Sequence, residues 1–235
     1  MDALDHLFGP ATDLLRRVDE LLAEDGAPDG HRIWPLLRRM RTLPGAAAEA
    51  VAALHPEPVT TAAAELRALV EAYGEAGATL MAEVEWEGGA AGAFATRRNA
   101  LAAHLDGGSE SLAGRLAESV SFLDAVADWM SAGRAALVRT LAEVLGSAEA
   151  VAILLGPRAA STAGPTDEFG AVATVALTAP AAAAEIGARV LTTVADIHDR
   201  GEVLRQQGSP KLTKIATFRP PSVAARLDST TRMAF

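Results

Sequence analysis

Apolar residues recur at intervals of three and four along most of this chain, the spacing that aligns side chains on one face of an α-helix. Residues 11–24 place Leu14, Leu15, Val18, Leu21 and Leu22 on such a face. Gly26, Pro28 and Gly30 break the pattern. A shorter segment then carries Trp34, Leu36, Leu37 and Met40 among Arg32, Arg38, Arg39 and Arg41, and Pro44-Gly45 closes it. A small Ala-rich turn of helix reaches His55, and Pro56 and Pro58 form the next boundary. The first long helix is predicted from Thr60 or Thr61, either of which can cap it, with Leu66, Leu69, Val70, Tyr73, Leu80 and Val84 as its stripe and a gap at Gly77. Trp86-Glu87-Gly88-Gly89 ends it, and a second helix over roughly 90–105 carries Phe94, Leu101 and Leu105. Asp106-Gly107-Gly108-Ser109 stops that helix and offers a new cap. The strongest periodicity follows, through Leu112, Leu116, Val120, Leu123, Val126, Met130, Leu137, Leu141 and Val144. It predicts a helix of about 35 residues, roughly 50 Å long at 1.5 Å per residue.

Residues 156–170 read as a linker, and Pro180 suits the first turn of a last helix whose seam is Ile186, Val190, Val194, Ile197 and Leu204, to about Gln207. Residues 208–235 differ in kind. Both lysines, Lys211 and Lys214, lie there with Arg219, Arg226 and Arg232, while Pro210, Pro220 and Pro221 argue against a continuous helix. The chain divides into an N-terminal helical segment (1–57), a helical hairpin with the long helix (58–155), a linker and last helix (156–207), and a basic, Pro-containing tail (208–235).

Composition sharpens this picture. Of 235 residues 53 are alanine, half are hydrophobic and only 4% are aromatic. Alanine favours helix but buries little area per contact. The expectation is an all-α, elongated helical bundle with long antiparallel helices and a thin core. The net charge of −9 makes nucleic acid an unfavourable partner for the body of the protein. The absence of cysteine excludes disulfides and thiolate chemistry. Asp2 and Asp5 stand where a cleaved signal peptide carries positive charge. The best membrane candidate, Phe169 to Ala184, is 16 residues long and interrupted by Pro180, against about 20 needed to span a bilayer. No transmembrane segment is expected, and the protein is either cytoplasmic or exported without a cleaved signal.

One short stretch, Trp86-Glu87-Gly88-Gly89-Ala90-Ala91-Gly92-Ala93-Phe94, does more than reverse the chain. Glycines supply the positive φ a tight reversal needs, but a turn has no need of tryptophan. The stretch resembles the WxG family of helical hairpins, the small substrates and partner domains of type VII (ESX) secretion in actinobacteria. Trp86, Gly88, the Ala90-Ala91 pair and Phe94 carry the resemblance, which covers about residues 58–106. It implies a central Trp-x-Gly helix-turn-helix, with Gly88 and Gly89 as turn formers and Trp86 and Phe94 as anchors for a protein partner. That partner is either another WxG-type helical protein or a second copy. The family's export signal, a tyrosine followed four positions later by an acidic residue after the hairpin, has no counterpart. The only tyrosine, Tyr73, precedes the turn and has Gly77 at that position. An accessory or structural role in that setting is therefore expected over a free-standing substrate.

Enzyme chemistry finds no constellation. Asp196, His198 and Asp199 bring carboxylates beside an imidazole, but on a helix they do not share one face and no second ligand pair follows. No nucleophile elbow, zinc-protease, P-loop or dinucleotide motif is present. No catalytic residue, metal ligand or cofactor is expected. The alternative is a self-associating structural subunit whose tail, through Lys211, Lys214, Phe218, Arg219 and Phe235, docks on a neighbouring subunit.

Overall fold

A computed structural model describes residues 3–83, 85, 87–155 and 178–216. The described residues form an all-α helical bundle: α1 (Ala3–Glu24), α2 (Ile33–Met40), α3 (Pro44–Ala52), α4 (Glu57–Met81), α5 (Gly89–Asp106), α6 (Leu112–Leu145), α7 (Ala148–Leu155) and α8 (Ala179–Ala216). The linker 156–170 and the positions Val84, Trp86, Phe218, Arg219 and Phe235 lie outside the described residues.

Several boundaries differ from the sequence expectation, each for a local reason. α1 begins at Ala3 and runs through Pro10. Burial of Leu4 anchors its first turn, and the carbonyl Pro10 cannot serve belongs to exposed His6. α4 starts at Glu57, with Pro56 as cap and Pro58 in the first turn, a place where a missing N–H costs nothing. Thr60 and Thr61 do not cap it; both hydroxyls donate back to the Glu57 carbonyl at 2.9 Å. α4 ends at Met81, five residues before Trp86. α8 continues through Pro210 to Ala216, where proline was expected to prevent a continuous helix. The single backbone bond it removes would have gone to Gln206, an exposed position.

The core lies at one end. Leu14, Leu15, Val18, Leu21 and Leu22 of α1 bury against Ile33 of α2 and Ala47, Ala48 and Val51 of α3. Leu137, Leu141 and Val144 of α6, Ile153 of α7, and Ile186, Val190, Leu191, Val194 and Ile197 of α8 complete the cluster. None of its buried members comes from α4 or α5.

Opposite charges clamp α3 at both ends. The Gly45 N–H, in its first turn, donates to both carboxylate oxygens of Asp19 at 3.1 Å. At its other end Arg134, buried on α6, donates to the carbonyls of Ala52 and Leu54. An anion at the N-terminus and a cation at the C-terminus both oppose the helix dipole and satisfy groups the helix cannot pair itself.

α6 and α8 run antiparallel. Phe122 lies over Gly208, Trp129 over Gly201, Ile197 against Gly133, and the hydroxyls of Thr140 and Thr193 meet at 2.8 Å. The indole N–H of Trp129 donates to the Ile197 carbonyl at 2.9 Å. Two aromatics seven residues apart thus fill two glycine seats seven residues apart. Each seat exists only because the glycine lacks a Cβ: one at Gly201 would stand 2.7 Å from the indole.

Candidate functional site

α4 and the turns of α5 and α6 nearest it form an arm beyond the core. α4 pairs antiparallel with α6, tied by Arg67 to Asp124 at 2.5 Å, while Arg134 reaches the chain just before α4. At 3.6 residues per turn, Asp124 falls on the same side of α6 as the buried Ala113, Val120 and Ala127. Phe122, Trp129, Gly133 and Thr140, which meet α8, fall on the opposite side. α4 and α8 therefore flank α6 on opposite faces, and the arm is a layer one helix thick.

α5 closes the end of this layer. Gly77 meets the Cβ of Asp106 and the backbone of Ala102, and Arg98 donates to the Ala82 carbonyl at 3.0 Å, capping α4. That register is antiparallel and places Phe94 past the last turn of α4. Gly88 caps α5 at φ 105°, the region that favours glycine, and Gly89 is its first residue. Both expected turn formers thus sit at the turn. The return into α6 also depends on glycine: a Cβ at Gly107 or Gly114 would collide with backbone, and Ser111 caps α6 by accepting the Gly114 N–H at 3.1 Å.

Packing in the arm is sparse. The only buried residues of α4 are Ala63 and Gly77, and of α5 only Ala102. Leu69, Met81, Phe94 and Leu101 remain 48%, 50%, 46% and 47% exposed. The same stripe logic that buries every seam position of α8 near the core leaves α4 and α5 half open. Glu65, Glu71 and Glu75 of α4 and Glu83, Glu85 and Glu87 after it are all exposed, as are Arg67 and Arg97.

The remaining expected site residues are scattered. Lys211 and Lys214 fall within α8, beyond Gly208. His198 is exposed on α8, 3.8 Å from Asp199, and Asp199 pairs with Arg39 of α2. Among the described residues no group of three His, Asp or Glu side chains is arranged to hold a metal ion. No described helix is long and apolar enough to cross a membrane.

A charged cluster that sequence reasoning missed joins α2, α7 and α8. Glu185 accepts from Arg32 and from Arg189, the latter at 3.1 Å, and Arg189 also reaches Glu149 at 3.1 Å. Burial works against the Glu185 carboxylate, yet the hydrogen bonds and attraction of Arg32 and Arg189 outweigh it and hold the group below its ordinary range. Its members lie 117 and more positions apart from α2 to α7, so no local spacing announces it. The aromatic seats had a readable signal: Gly201 and Gly208 share the seven-residue spacing of Phe122 and Trp129.

Comparison with known protein families, with curated proteins and with solved structures finds no match to this chain.

Proposed function

We propose that this chain is a non-enzymatic binding protein that takes a helical protein partner on the arm formed by α4, α5 and the facing part of α6. The observation that carries this reading is the half-open apolar surface of Leu69, Met81, Phe94 and Leu101 on a layer one helix thick. Alanine-lined helices allow close backbone approach, so a partner helix laid along the arm gains apolar burial that the chain itself does not supply. The Trp86-x-Gly88 turn and Phe94 at the tip support placing the protein in the type VII secretion setting that its resemblance to WxG hairpins suggests. There it serves as an accessory component that holds a WxG-type helical partner.

The test is co-purification from the native host with tagged full-length protein. A variant carrying Leu69→Ser, Met81→Ser, Phe94→Ser and Leu101→Ser is expected to lose its specific partner while keeping helicity by circular dichroism, because none of the four side chains is buried. Retention of the same partner by this variant would remove the arm from recognition.

A further inference from the structure

The arm is not the only open apolar surface. A groove of about 530 Å³ runs between α1 and α3, lined by Phe8, Leu15, Leu43 and Ala46 with the carboxylates of Asp19 and Glu49. Leu43, at its edge, is 36% exposed. The cations are already engaged: Arg16, which lines the groove beside Glu20, pairs with Asp13 at 2.8 Å, and Arg17 pairs with Glu20 at 2.9 Å. Asp19 accepts only from a backbone N–H, and Glu49 has no cationic partner among the described residues. An apolar slot edged by two carboxylates that lack a cationic partner suits an extended segment that carries both an apolar anchor and a basic side chain.

We propose that this groove receives the segment around Arg232, Met233 and Phe235 of a second copy of the chain. Two long stretches lie outside the described residues, 156–177 and 217–235, and charge chooses between them. The first carries Arg158 against Asp167 and Glu168, the wrong sign for an acidic groove. The second carries Arg219, Arg226 and Arg232 against Asp228 alone, interleaved with Phe218, Leu227, Met233 and Phe235. Arg232 answers Asp19 and Glu49, while Met233 and Phe235 fill the space between Phe8 and Leu43.

Distance chooses between the same copy and another. Gly187 of α8 packs on Pro44, beside the groove, and α8 then runs 29 residues further to Ala216. That carries the chain about 44 Å away at 1.5 Å per residue. Residues 217–232, fully extended, reach roughly 55 Å. Docking in the same copy draws that segment out over about four-fifths of its reach, whereas a neighbouring copy imposes no such stretch. Each copy presents one groove and one tail, so two copies close by exchanging tails, or further copies add head-to-tail as rings or chains.

Size-exclusion chromatography with light scattering on full-length chains tests this. Wild type is expected to associate with rising concentration. A groove variant, Leu43→Asp with Glu49→Lys, and a tail variant, Arg232→Glu with Phe235→Ser, are each expected to weaken association at least about tenfold. Mixed together they should form a dimer and nothing larger, because the mixture retains one intact groove and one intact tail. The arm variant of the previous section is expected to associate like wild type, which separates failure of this contact from failure of arm recognition. Monomeric wild type at all concentrations would overturn the proposal. So would association that survives either variant, a mixture that stays monomeric, or association abolished by the arm variant, which would assign the contact to the arms instead.

Discussion

The two ends of this bundle share α6 and a common alanine-rich vocabulary, yet one is a packed core and the other an open layer. Along α6 the predicted stripe is continuous from Leu112 to Val144. Its second half, at Leu137, Leu141 and Val144, is buried by helices on several sides. Its first half buries Val120 toward α4 but leaves Leu112, Leu116 and Leu123 half-buried, because α4 and α8 lie on opposite faces of α6. Periodicity therefore reports which side chains are available for burial, while the number of surrounding helices decides how much burial they reach. The lesson is physical: equal sequence pattern, unequal stabilisation.

The sharpest way to break this comparison is truncation at matched leucines. Leu141→Ala removes a fully buried side chain and leaves a cavity that helices on several sides cannot close. It is expected to cost about 3 kcal/mol in chemical denaturation, within the usual range for buried leucine. Leu101→Ala, at 47% exposure on α5, is expected to change stability by less than about 0.5 kcal/mol. Equal costs at the two sites would mean that the arm is as tightly packed as the core.

A second test concerns the α6–α8 seam that crosses from one region to the other. Gly→Ala inside a helix normally stabilises by about 1 kcal/mol through propensity. At Gly201 and Gly208 the added Cβ meets the rings of Trp129 and Phe122, and the expected sign reverses to a loss of about 1–3 kcal/mol from overpacking. Thermal unfolding reads the sign directly, and tryptophan fluorescence should shift for Gly201→Ala as the indole leaves its seat. A gain in stability at both positions would show that the aromatic rings move aside freely and that the seats do not set the register.

Much of the bundle was legible because its evidence is local. The face of α1, the extent of α5, the length of α6 and the seam of α8 follow from side-chain spacing that neighbours in sequence enforce. The arm's thinness was foreshadowed by alanine content, but its exposed Phe94 and Leu101 had the same spacing as a buried stripe. What decides between the two is how many helices approach, and that is a non-local fact. The clamp on α3 was illegible for the same reason: Asp19 precedes Gly45 by 26 positions and Arg134 follows Ala52 by 82, each looking like an ordinary charged residue on its own helix. Prolines misled in one direction. Pro210 reads as a breaker, yet here, as at Pro10, the helix loses one backbone bond to an exposed carbonyl and continues. For the candidate site, Gly88 has the positive φ that favours glycine, Gly89 is already helical, and Trp86 lies outside the described residues.

The smallest expected effect distinguishes how the core end is held, and it lies in two carboxyls that titrate in opposite senses. Burial raises the Asp19 carboxyl above its ordinary 3.8, against the pull of the Gly45 N–H. The folded state then binds this proton more tightly than the unfolded chain. Its contribution is fully present below the unfolded value and is lost as pH rises through the folded one. Glu185, held below its ordinary 4.5 by Arg32 and Arg189, contributes stability above that value, and this is lost as pH falls through its folded value. Asp19→Asn keeps an acceptor for Gly45 but removes the titration, so the variant's stability should decline less than wild type's on raising pH from about 4 to 6. Glu185→Gln should decline less than wild type on lowering pH from about 5 to 3. Urea midpoints across that range separate the two slopes. Parallel curves for both variants and wild type would mean that neither carboxyl differs between folded and unfolded states. The α3 clamp would then be a geometric contact with no electrostatic share in holding the core end together.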